Sequence, residues 1–139
     1  MSVEIEFPFE FVVSGTALSF QAKRRESIEQ WKIRVIAASR LRLPEGHFAS
    51  RDQLAVTLFY FPNAPMQGDI DNIVKPILDA LGNHIYIDDN QVQRLVVQKF
   101  EPGNVFRFVS PTSVLSDALV GAKPILYIRL SNDPSEDLV

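Results

Sequence analysis

The sequence predicts a single α+β domain, a small mixed β-sheet with helices packed on one side. Three observations predict it. Residues 3–13 alternate between apolar and polar at a period of two. Residues 27–41 and 71–81 carry apolar positions at helical spacing. Three more apolar runs, 54–61, 92–100 and 124–130, are short enough for buried strands and are bounded by Pro or Gly. The order of the strands in the sheet does not follow from these patterns. A chain of 139 residues suits one domain, and at this size folding buries roughly two-thirds of the unfolded surface.

In the first strand Val3, Ile5, Phe7, Phe9, Phe11 and Val13 share one face, and Glu4, Glu6 and Glu10 the other. Pro8 has no N–H to give a ladder, so an edge or a bulge is expected there. Ser14-Gly15-Thr16 reads as a turn. Ser27 is a candidate cap for the first helix, whose stripe is Ile28, Trp31, Val35 and Ala38, with Lys32, Arg34 and Arg40 projecting away from it. Pro44-Glu45-Gly46 ends that segment.

After the strand 54–61, Pro62-Asn63-Ala64-Pro65 makes a loop. The second helix is expected to begin near Asp71 or Asn72, either of which can cap, and to present Ile73, Ile77 and Leu81. Pro76 then falls within about the first turn, where a missing N–H costs little. Gly82-Asn83 stops the helix. Phe106–Val109 is read as a short pairing strand and Thr112–Val120 as a helix. Residues 1–130 make up the domain, and the acidic segment 131–139 is expected to be a flexible tail.

The composition excludes several classes of function. Without cysteine there are no disulfides, thiolate metal sites or Cys nucleophiles, and a reducing cytoplasm is the expected location. No apolar run reaches membrane-spanning length, and the start of the chain lacks the layout of a signal peptide. The two histidines, His47 and His84, are too few and too far apart in sequence for a zinc site or a Ser-His-Asp triad. No Gly-rich phosphate loop is present. The net charge of −3 is unevenly placed. Between Phe20 and Arg51 eight basic residues stand against three acidic ones, and between Asp69 and Asp89 five aspartates stand against Lys75. The first region is the candidate contact for a polyanion, with Lys23, Arg24, Arg25 and Lys32 at its head.

The aspartates carry the functional signal. Asp favours neither helix nor strand, so five in one short segment suggest more than scaffolding. Asp69 and Asp71 point the same way if the backbone is extended. If Asp71 caps the helix instead, it lies at the positive end of the helix dipole. Either placement crowds two anions, and a hard divalent cation relieves the repulsion. A helix of about ten residues is roughly 15 Å long, and the return through His84-Ile85-Tyr86-Ile87 is long enough to bring Asp89 back to join them. Lys75 lies one turn beyond Asp71, suited to a phosphoryl oxygen or to an ordinary surface pair with Asp71 or Asp79. An EF-hand is excluded, because Ile73 and Val74 stand where that loop needs an oxygen ligand and a glycine.

The string Gly68-Asp69-Ile70-Asp71-Asn72-Ile73-Val74-Lys75-Pro76-Ile77-Leu78-Asp79-Ala80-Leu81, followed by Tyr86-Ile87-Asp88-Asp89-Asn90-Gln91-Val92, resembles the RusA family of Holliday-junction resolvases. The resemblance implies an RusA-like fold and a metal-dependent endodeoxyribonuclease that acts as a homodimer on branched DNA such as the four-way junction. It assigns Mg²⁺, with Mn²⁺ as a substitute, to Asp69, Asp71 and Asp89, and an essential basic role to Lys75. Asp88 belongs to the same motif as a further candidate ligand. The loop Asn63–Gly68 carries no positive charge. With the acidic net charge, this keeps open a non-catalytic dimer of the same fold that binds branched DNA or protein.

Overall fold

A computed structural model of the protein describes residues 3–18 and 25–136. In chain order the regular elements are β1 (Phe9–Ser14), α1 (Arg25–Arg40), β2 (Leu54–Phe61), α2 (Val74–Leu81), β3 (Val92–Lys99), α3 (Ser113–Val120) and β4 (Ile125–Ser131). The strands form one sheet in the order β1-β4-β2-β3. β4 is antiparallel to both neighbours, while β2 and β3 are parallel. Parallel neighbours need a crossover, and the crossover is α2 with its flanking turns.

The register sorts the side chains by face. Phe11, Ile128, Leu58 and Val97 lie in one row across the sheet. Their face packs on Trp31 and Val35 of α1 and on Ile77, Ala80 and Leu81 of α2. The adjacent row, Val12, Tyr127 and Phe59, points to the other face. There Val114, Leu115 and Ala118 of α3 close a second core with Phe61 and Phe100. The α+β class and mixed sheet are as expected, and α1 and α2 share one side. α3 lies across the sheet from them, a placement its short apolar pattern does not specify.

Local departures have local causes. Regular pairing in β1 begins at Phe9, directly after Pro8, which cannot donate to a ladder. Upstream, Val3 only bridges to His47. α1 already includes Arg25, so Ser27 lies inside its first turn and is not its cap. Gly15 has φ +129, a backbone conformation that strains any residue with a Cβ, so the turn after β1 favours glycine. Phe106–Val109 does not pair as a strand. Phe106 and Phe108 instead set their rings 4.9 and 5.2 Å from Phe100, so aromatic packing holds this segment without ladder bonds. α3 does start as expected, with Thr112 Oγ1 accepting from Leu115 N at 3.2 Å. The acidic segment is tied down as far as Glu136. Arg129 donates to the Glu136 carboxylate at 2.5 Å, and Arg94 donates to its carbonyl at 2.7 Å.

The two histidines meet in space. His47 and His84 pack edge to face with centroids 5.0 Å apart, and His47 Nε2 donates to the His84 carbonyl at 3.0 Å. Ser39, buried near the end of α1, donates its hydroxyl proton to Ile36 O at 2.6 Å. Its oxygen therefore accepts from His84 Nε2–H at 2.7 Å, which places a proton on that nitrogen. Burial, followed by the charges of His47 and Arg40, lowers the His84 pKa to about 4. This clasp joins the end of α1 to the turn after α2.

Two outcomes follow for stability. Ile77 is wholly buried, so Ile77→Ala should cost about 2–5 kcal/mol in urea unfolding, whereas Val105→Ala at a fully exposed position should be close to neutral. Because the folded His84 pKa lies below the ordinary value of about 6.5, the unfolded chain takes up this proton first as pH falls. The stabilisation is complete above about pH 6.5 and is lost between there and about pH 4. Melting temperatures across that window should drop more steeply for wild type than for His84→Asn, and parallel curves would refute the assignment.

Candidate active site

The loop after β2 reaches the site without a positive charge, and one contact fixes its path: Met66 N donates to Glu101 Oε2, just beyond β3, at 2.6 Å. Asp69 follows in extended backbone at the cap position of a 3-10 turn, Ile70–Ile73, that runs directly into α2. Asp69 makes no side-chain cap bond, and Asp71 lies within the first turn. Neither expected placement is found: Asp71 is inside the 3-10 turn and caps nothing, and α2 starts only at Val74, with Ile73 at its cap position. Asp69 and Asp71 are both exposed. Inward, Ile73 and Ile77 are buried. Because those apolar residues must face the sheet, Lys75 and Asp79, one turn apart on α2, lie on its outer face.

Lys75 turns toward the end of α2. Its Nζ lies 2.6 Å from Asp79 Oδ1 and 3.9 Å from Asp89 Oδ2. The hydrogen bond to Asp79, then its negative charge, raises the Lys75 pKa, so the ammonium form persists. Of the two pairings open to Lys75 in the sequence, the structure selects Asp79.

The chain returns from α2 through a tight turn in which Asn83 adopts φ +62. Asn83 N donates to Tyr86 O at 2.6 Å, and Ile85 N to Leu81 O at 2.8 Å. Ile85 and Tyr86 are wholly buried, which draws this return against the helix. A second 3-10 turn, Asp89–Gln91, then leads into β3. Asp88 caps it, accepting from Asn90 N at 3.0 Å. Asp89 is exposed, with Oδ1 2.9 Å from the Tyr86 hydroxyl. Desolvation, followed by the hydrogen bond to Asp89, raises the Tyr86 pKa and keeps its phenol protonated.

The helix-out, strand-back path therefore brings Asp89 to Lys75 of α2. Among the described residues, no group of three or more His, Asp or Glu side chains stands close enough to form a ready metal cage. Asp69, Asp71 and Asp89 are hard oxygen donors of the type Mg²⁺ takes one or two at a time while keeping its waters. Of the basic candidates, Lys23 and Arg24 lie outside the described residues. Arg25 is exposed at the start of α1, and Lys32 is 3.4 Å from Glu29.

Sequence patterns did not single out Tyr86 or Gln91. Gln91 Oε1 accepts from Ile87 N at 2.7 Å and Asp88 N at 2.9 Å, and its Nε2 donates to Ser50 O at 2.8 Å and Asp52 O at 2.9 Å. The available signal was their place inside the motif, which carries no indication of what they touch.

Fold and site define an α+β domain whose β2–α2–β3 crossover displays an acidic face with one lysine. The family model described as endodeoxyribonuclease RusA matches residues 13–108, well over half of the chain, and the chain belongs to that family. No curated protein and no solved structure matches it significantly. The matched span contains every aspartate of the site and ends before α3 and β4.

The Lys75–Asp79 pair is exposed and follows helical spacing, so it contributes little to stability. Lys75→Met should unfold within about 1 kcal/mol of wild type in denaturant. A larger loss would mean that this lysine supports the fold.

Proposed function

We propose that this endodeoxyribonuclease is metal-dependent and cuts four-way junctions or related branched DNA as a homodimer. The observation that carries the reading is the return of Asp89 to Lys75 of α2, within the family match. In this reading Asp69, Asp71 and Asp89 hold Mg²⁺ or Mn²⁺, with Asp88 mainly engaged as a cap. A bound divalent ion supplies an activated water and charge neutralisation for phosphodiester hydrolysis. Lys75, kept protonated by Asp79, presents its ammonium to a non-bridging phosphate oxygen. The carboxylates orient the ion, and their exposure leaves room for a DNA strand.

A two-fold dimer presents two such sites to symmetry-related strands, which suits paired cuts across a junction. Arg25 and Lys32, together with Lys23 and Arg24, supply backbone contacts in this reading. A cysteine-free chain fits a cytoplasmic location, and among the described residues no helix is long and apolar enough to cross a membrane. The second reading, a dimer that binds branched DNA or protein without cutting, is favoured by the acidic net charge and the neutral loop Asn63–Gly68.

Purified protein incubated with a labelled four-way junction and Mg²⁺ or Mn²⁺ tests the proposal. Wild type should cut, and Asp71→Asn should lose more than about 100-fold of the rate, beyond what loss of an outer partner costs. Equal cutting by both proteins would remove Asp71 from the chemistry. Junction binding that ignores EDTA, with no cutting under either metal, would establish the second reading. Sedimentation of the protein with the junction reads the dimer directly.

A further inference from the structure

Asp89 is an exposed side chain on a three-residue turn, a setting that by itself leaves a carboxylate free to change rotamer. Two neighbours that the chemistry above does not use remove that freedom. Tyr86 is wholly buried, yet its hydroxyl lies 2.9 Å from Asp89 Oδ1 and 3.1 Å from Leu78 O. A phenol has one proton to give, and the charged carboxylate is the stronger acceptor. The hydroxyl is therefore a fixed donor standing on the core, aimed at one oxygen of Asp89. The other oxygen, Oδ2, is left facing Lys75 at 3.9 Å.

Gln91 holds the backbone of the same turn. Its carboxamide has two lone pairs and two N–H groups, and all four are engaged by backbone, at the distances given above. Oxygen meets only N–H groups and nitrogen meets only carbonyls, so the partners dictate the orientation of the amide. One side chain thus fastens the Ile87–Asp88 backbone to the segment that enters β2. Carboxylate and backbone are gripped from opposite ends by groups that are not themselves exposed ligands.

We infer that Tyr86 and Gln91 are positioning residues that hold Asp89 for divalent-metal binding, Tyr86 by fixing its carboxylate and Gln91 by fixing its turn. This rests on the metal-dependent reading proposed above. Hydrogen-bond partners behind a carboxylate ligand typically matter by 10–100-fold in metal affinity or activity. A role confined to stability would lower the melting temperature and leave metal affinity unchanged in the folded protein.

The test uses the full chain, Mn²⁺ as probe, and wild type, Tyr86→Phe and Gln91→Ala. Mn²⁺ affinity is read by titration calorimetry or by the signal of the free ion in paramagnetic resonance. Junction cleavage is read as kcat and KM, well below each melting temperature. Tyr86→Phe keeps the buried ring and should remain folded. It should weaken Mn²⁺ binding by about 10–100-fold and lower kcat, with KM for the junction little changed. Gln91→Ala, if it folds, should do the same. If it does not fold, Tyr86→Phe alone decides. Mn²⁺ affinity and kcat within about twofold of wild type in a folded Tyr86→Phe would overturn the inference while leaving the nuclease reading intact. A wild type that neither binds Mn²⁺ nor cuts would overturn both.

Discussion

The turn that carries the chain from α2 into β3 is the constraint on which the rest of this structure depends. β2 and β3 are parallel neighbours, so the chain must leave the sheet, travel back and re-enter beside its starting point. The crossover helix has only eight residues. It can return only if the following segment lies flat against it, and burying Ile85 and Tyr86 achieves this. Full burial of one such side chain contributes roughly 1.5–3 kcal/mol, more than the exposed ion pair beside it can supply.

That burial also sorts the acidic residues. Once Ile73, Ile77, Ala80 and Leu81 face the sheet, helical geometry leaves Lys75 and Asp79 on the opposite side of α2. Once Tyr86 is in the core, Asp89, three residues later, emerges beside Lys75. The polar site is therefore a consequence of the apolar packing beneath it. The electrostatic interactions at its surface, between exposed groups, are weak by comparison.

The opposite face of the sheet serves stability. Phe59, Phe61, Phe100, Phe106 and Phe108 form a continuous aromatic cluster. α3 is anchored to the same face through Thr112, which donates to Glu10 at 2.5 Å, and the Tyr127 hydroxyl donates to the same carboxylate. Both lie on the face away from α2, so the domain separates this aromatic packing from the exposed residues displayed on its other side.

Much of this was legible in the amino-acid order. The strand 54–61, the stripe Trp31–Val35, the stop at Gly82-Asn83 and the helix after Thr112 each follow from a period or a cap, because each depends on residues a few positions apart. The aspartates and Lys75 were legible as residue types at a spacing, and the family followed from that string. The pairing of β4 between β1 and β2, the side taken by α3 and the meeting of His47 with His84 were not legible. Nor were the two grips on Asp89, where Tyr86 reaches back to Leu78 and Gln91 spans about forty positions to Ser50 and Asp52. Sequence alone determined which groups are available and which face of each element is apolar. Tertiary structure decided which of those groups meet, because contacts between distant segments depend on how the faces pack, and packing leaves no local period in the chain.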